Sequence, residues 1–90
     1  MGIVRLSGQL VCASAKDAAL VATHMTVHIA LTRAEPGCLT FTIVQTANPL
    51  VWQVDEAFAD QAAFDTHQTR TRASDWYRLT AHIERRFIIG

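Results

Sequence analysis

The stretch EPGCLTFTIVQTANPLVWQVDEAFADQAAFDTHQTRTRASDW, Glu35 to Trp76, decides the fold, because strand-period and helix-period patterns alternate in it with turn signals between them. Pro36 and Gly37 stop whatever precedes them. Leu39, Phe41 and Ile43 then alternate with Thr40, Thr42 and Val44, a period of two that predicts a half-buried strand. Asn48 and Pro49 supply a turn, and Val51 to Phe58 reads as a second strand, so the two should pair antiparallel. Trp52, Val54, Glu56 and Phe58 share one face of that strand by parity, which sets a carboxylate in an apolar row. Asp60 is placed to cap the helix that opens QAAFDTH. Further helix is expected from Thr69 to Thr80, with a break near Gln68 to Thr71, where polar and β-branched residues interrupt the pattern.

Upstream, Val4, Leu6, Gly8, Leu10 and Cys12 alternate with Arg5, Ser7 and Gln9, a strand from Ile3 to Cys12. Ser14 with Asp17 three residues later marks a helix start, and Lys16 to about Arg33 is helix-compatible. Leu20, His24, Val27 and Leu31 form one stripe of it, with Val21, Met25 and His28 beside them. Downstream, Ile83 to Ile89 is the last strand. The order βαββαβ predicts one α+β domain, residues 1–90, with the ferredoxin-like sandwich architecture: helices over one face of a four-stranded antiparallel sheet. Two helices leave the other face bare. Val11, Thr40, Thr42, Val44, Val51 and Ala57 fall there, a set better buried against a second copy, so a homodimer through sheet faces is expected.

Composition narrows the partners. Eight basic and eight acidic side chains give no net charge, hence no field that draws the chain to nucleic acid or to an anionic membrane. No apolar run reaches the ~20 residues of a membrane span. Met1 leads straight into IVRL without a basic stretch and apolar core of the secretory kind, so a cytoplasmic location is expected. Cys12 and Cys38 are too few and too separated for a metal knuckle or redox pair.

Several side chains could carry chemistry. Glu56 in its apolar row must find a partner or hold a proton; it either anchors the strand or orients a catalytic group. His67 follows Phe64 and Ala63 on one helix face, where an imidazole either packs as a hydrogen-bonded core residue or acts as a general base. His24 and His28 stand four residues apart, but no third ligand accompanies them, so no metal is expected and a cleft-lining role fits better. Trp52 and Trp76 could wall a site for a flat ring or serve the core. Arg70 and Arg72 could hold an oxyanion or end a helix in solvent. Glu35 reads as a solvated loop acid or local cap. No phosphate-cradling glycine loop, dinucleotide fingerprint or serine elbow is present in the sequence.

The series TRAEPGC, VWQVDEAF, AAFDTH and ERRFII, in that order and at that spacing, resembles the antibiotic biosynthesis monooxygenase family, whose members are small dimeric α/β barrels of ferredoxin-like type. The resemblance covers nearly the whole chain. It implies oxidation of an electron-rich aromatic, of hydroquinone or anthrone type, by O2 without a cofactor. His67 would then be the base, Glu56 its orienting partner, Arg70 or Arg72 the anion stabiliser, and Trp52, Trp76, His24 and His28 the surroundings of the substrate. A non-catalytic dimer that binds a small molecule or serves as an accessory subunit, and an isomerase of a small carbonyl compound, use the same residues and stay open.

Overall fold

Alternation of apolar and polar residues writes four strands, and apolar stripes at helical spacing write the elements that cover them. The computed structural model describes residues 2–90, and the chain runs β1 (Val4–Val11), α1 (Ala15–Arg33), β2 (Cys38–Gln45), β3 (Val51–Phe58), α2 (Gln61–Arg72), α3 (Asp75–Thr80), β4 (Glu84–Ile89). All neighbouring strands are antiparallel, in the order β2-β3-β1-β4. This is the ferredoxin-like α+β arrangement that the sequence predicts, with the second helix of that order in two pieces, α2 and α3.

Register fixes which side chains meet the helices. Leu6 and Phe41 flank Glu56 on either side, Leu10 opposes Trp52, and Ile43 opposes Val54. With Val4, Cys12 and Phe58 these residues form the inner face, which packs against Val21 of α1, Phe64 of α2 and Trp76 of α3. Gly8 is part of this face for a steric reason. A Cβ there would lie 2.1 Å from the Arg86 carbonyl oxygen and 2.7 Å from Phe87, so only glycine lets β4 lay Phe87 across β1.

The caps are those written in the sequence. Ser14 accepts from the Asp17 amide at 3.3 Å while the Asp17 carboxylate accepts from the Ala13 amide at 3.3 Å, a reciprocal pair at the start of α1. Asp60 accepts from the Ala63 amide at 2.8 Å. After α1 the chain turns through Gly37, whose φ of 90° suits a residue without a side chain. A Cβ at Gly37 would also stand 2.7 Å from that of Ala63, so the glycine lets α2 close down on the turn.

Three local expectations do not hold. The helix is unbroken from Gln68 to Thr71; the break falls at Ala73 and Ser74, where Ser74 caps α3 by accepting from the Tyr77 amide at 3.2 Å. The polar run serves the helix, since the Thr69 hydroxyl donates back to the Asp65 carbonyl. The buried stripe of α1 is Val21, His28 and Thr32, whereas Val27 and Leu31 lie outside the core, 65% and 50% exposed. A register shift between Cys38 and Thr40 turns Leu39 outward as well.

The sheet's other face has no helix over it. Ala57 is buried there, but Thr40 and Val44 are exposed, and the Ser7 hydroxyl donates to Asp55 at 2.7 Å across β1 and β3. Gln9 opposes Gln53 and Ser7 opposes Ile88, so the face is a mosaic of polar pairs and single aliphatic side chains. No helix among the described residues is long and apolar enough to cross a membrane.

Candidate active site

Strand parity brings Glu56 to the inner face, and the helical spacing of Phe64 and His67 brings His67 down onto it. The two meet under the helices. His67 is 2% exposed, and its Nε2 stands 3.6 Å from Glu56 Oε1 and 3.4 Å from the Thr71 hydroxyl. Its Nδ1 stands 2.8 Å from Oε1 of Glu35, which reaches in from the turn after α1. The other Glu35 oxygen accepts from Arg70 Nε at 2.7 Å, and Arg70 Nη2 donates to the Thr32 hydroxyl at 2.8 Å. Thr32 in turn donates to the His28 carbonyl at 2.7 Å.

This chain of contacts assigns the imidazole tautomer. Glu35, paired with a guanidinium, is a carboxylate that can only accept, so Nδ1 carries the hydrogen and Nε2 keeps its lone pair. Burial holds the His67 pKa below the usual histidine value, outweighing the bond and charge of Glu35 that favour the imidazolium. The ring is therefore neutral near pH 7, with its basic nitrogen toward Glu56 and Thr71.

Glu56 behaves oppositely. Burial, and then the negative charge of Glu35, push its pKa up to about 7. Its Oε1 makes no hydrogen bond among the described residues. His28 is pushed down to about 3 by burial and by the charges of Arg70, His67 and Arg85, so it is a neutral ring in this setting. It stacks on Trp76 at 4.9 Å between ring centroids, 5° from parallel, and lies edge-on to Phe41 at 5.3 Å.

A cavity of about 260 Å³ opens at this point between sheet and helices. Leu6, Leu10, Phe41, Ile43, Val54 and Phe87 form its apolar floor, and His28, Trp76 and Tyr77 its aromatic wall. Glu56, His67, Gln68, Thr71, Arg72 and Arg85 supply the polar atoms. Arg85 is fixed by donating to the Thr80 carbonyl at 2.7 Å, the Ile83 carbonyl at 3.1 Å and the Thr80 hydroxyl at 3.0 Å, and its guanidinium carbon lies 5.7 Å from the Tyr77 ring centre.

Of the side chains singled out from the sequence, His67, Glu56, His28, Trp76 and Arg72 converge on this cavity. Trp52 does not line it; it is core, packed in the row that opposes β1. Arg70 and His24 border a second cavity on the far side of His28 and Trp76. Glu35 is not a solvated loop acid: it is the group that grips His67. Nothing in the local spacing announces a contact across 32 residues. Arg85 was legible in principle, because Arg85 and Phe87 share the inner parity of β4 just as Glu56 shares that of β3.

Comparison with known proteins bears on the fold and the family. Residues 11–79 match the model of the family described as antibiotic biosynthesis monooxygenase. No curated protein matches the chain. Among solved structures, a candidate antibiotic biosynthesis monooxygenase from Nitrosomonas europaea is similar at 19% identity and a TM-score of 0.85, over 100% of this chain and 90% of its own. Another from Deinococcus radiodurans is similar at 23% identity and a TM-score of 0.79, over 97% of this chain and 89% of its own. A conserved protein from Methanosarcina mazei is similar at 19% identity and 0.79, over 100% and 92%. At these identities the structures speak for the fold alone, while the family match spans most of the chain: the protein belongs to the antibiotic biosynthesis monooxygenase family.

Proposed function

We propose that the chain oxidises an electron-rich phenolic ring with O2 and without a bound cofactor. The observation that carries this reading is the neutral His67, clamped at Nδ1 by Glu35, whose unprotonated Nε2, 3.4 Å from the Thr71 hydroxyl, sits among the polar groups of an aromatic-walled cavity. The volume, about 260 Å³, lies just under the usual range of ~300 Å³ upward for small-molecule sites, which favours a substrate of one or two rings.

His67 Nε2 takes a phenolic proton. The resulting phenolate passes one electron to O2, the phenoxyl radical and superoxide combine in a new carbon–oxygen bond, and the peroxide anion so formed takes the proton back from His67. The hydroperoxide then loses water, so a hydroquinone and O2 leave as a hydroxyquinone and H2O, with both reducing electrons drawn from the substrate. The fixed charges of Arg85 and Arg72 at the cavity stabilise the phenolate, and its apolar floor keeps out water. Arg70, expected from sequence as a possible anion stabiliser, serves instead to hold Glu35. Oxygen uptake above autoxidation, with one O2 consumed per hydroxyquinone formed, is the expected result with a panel of benzo- and naphthohydroquinones. No uptake with any of them, together with a raised Tm in their presence, assigns the chain to the binding-module class instead.

The same reading includes a homodimer through the open sheet face. Val44 and Ile88, 59% and 79% exposed there, support it, and the Ser7–Asp55 pair adds a polar element that a two-fold contact repeats. Sedimentation velocity is expected to give about twice the 10.0 kDa chain mass, and a single-chain species at micromolar concentration removes the pairing.

A further inference from the structure

The stacked pair of His28 and Trp76 has a cavity on each side. The one away from Glu56 measures about 250 Å³ and is bordered by His24, Val27, Leu31, Arg70, Ser74 and Asp75 besides the pair itself. Three observations make it a site. Val27 and Leu31 sit at its rim, exposed although they are aliphatic and one helical turn apart, so an apolar body there would cover surface that the chain leaves wet. Arg70 commits Nε to Glu35 and Nη2 to Thr32, but Nη1 makes no hydrogen bond among the described residues and belongs to a side chain only 29% exposed. His28, 3% exposed and shared by the walls of both cavities, keeps an unpartnered Nδ1.

Among the described residues the only acid at the rim is Asp75, which points into solvent with an 86% exposed side chain and is paired with Arg78 at 3.3 Å. Arg70 therefore supplies the cationic donor in this lining, its Nε shared with Glu35 and its Nη1 left for a further acceptor. We infer that this second cavity binds a small monocarboxylate with an apolar body, its carboxylate on Arg70 Nη1 and its body against Val27, Leu31 and Trp76. The inference is independent of the oxygenase reading, because none of its contacts uses Nε2 of His67. It nevertheless links to that site: the guanidinium that would receive the carboxylate is the one that holds Glu35, and Glu35 holds His67.

The test uses the full chain and benzoate, with benzamide as the uncharged isostere, followed by NMR of the Arg70 Nε–H, the Trp76 indole N–H, the His67 Nδ1–H and the backbone amides of Tyr77 and Phe87. Saturable shifts of the Arg70 and Trp76 signals are expected with benzoate, and at least tenfold weaker binding with benzamide. Leu31→Glu, a change at an exposed helix position that sets a negative charge at the rim, is expected to weaken benzoate binding at least tenfold while the wild-type spectrum is otherwise retained. Val27→Glu serves the same purpose should Leu31→Glu fail to fold. Equal binding of benzoate and benzamide overturns the inference. So do shifts confined to Tyr77 and Phe87 of the first cavity, or benzoate binding that neither rim variant weakens.

Discussion

Replacement of His67 by glutamine is expected to lower oxygen-dependent turnover by about 10²–10⁴-fold, the usual contribution of a positioned general base, or roughly 3–5 kcal/mol of barrier. Glutamine is the informative choice. It nearly fills the space of the imidazole, and its amide can still donate to Glu35, so the buried Glu35–Arg70–Thr32 chain keeps its contacts. What it lacks is a nitrogen able to take a proton. Alanine would remove the same base but would also leave a void at a side chain 2% exposed, which mixes lost packing with lost chemistry. The measurement is steady-state oxygen uptake on a hydroquinone turned over by the wild type, with Tm recorded for both proteins. A glutamine variant with an unchanged Tm and an unchanged rate takes His67 out of the mechanism.

The second large effect concerns stability. Glu56 has its pKa raised from 4.5 in a solvated chain to about 7 in the fold. Below pH 4.5 the carboxyl holds its proton in both states and the shift has no effect on folding. Between pH 4.5 and 7 the unfolded chain releases the proton while the folded chain retains it, so stability falls as pH rises; above about 7 both are ionised and the loss is complete, on the order of 3 kcal/mol. His28 and His67, whose pKa values are depressed, act in the reverse sense: they stabilise at neutral pH relative to acid and lose that contribution as pH falls below the ordinary histidine range. Glu56→Gln isolates the carboxyl, because both histidine contributions are common to variant and wild type and drop out of the difference. The glutamine variant is expected to gain on the wild type by about 10 °C or more in Tm between pH 5 and pH 8. A Tm difference that is the same at both pH values shows that Glu56 is charged in the fold throughout, held by a partner, and ends its description as a proton-bearing group.

Much of this molecule could be read from the chain. Val51 to Phe58 is a strand by parity alone, and it is the strand observed, end to end. Ser14 and Asp60 cap the helices they were expected to cap, because an N-cap is a contact over three residues. Glu56 stood out because a carboxylate in an apolar row is an anomaly that needs no coordinates to notice. The elements that depart from the sequence pattern do so for a common reason. The position of the break after α2 depended on whether the Thr69 hydroxyl would compete with the helix or bond back to it and on whether Thr71 would turn to the His67 ring, and both choices are made by what surrounds them. The buried stripe of α1 could not be phased from the helix itself, since apolar residues occur on more than one side of it and only the sheet selects Val21, His28 and Thr32.

The sequence by itself determined the alternation, the caps, the stops at Pro36 and Gly37, and so the βαββαβ order, since all of these arise from interactions between residues a few positions apart. Tertiary structure alone decided which acid grips His67. Glu35 and His67 are 32 positions apart and meet only when the turn after α1 closes on α2, a closure that Gly37 permits by leaving room for Ala63. The identity of the orienting carboxylate, the tautomer of the imidazole and the separation of Arg70 from the first cavity are all consequences of that closure, because hydrogen bonds between distant residues depend on distances that no local spacing encodes.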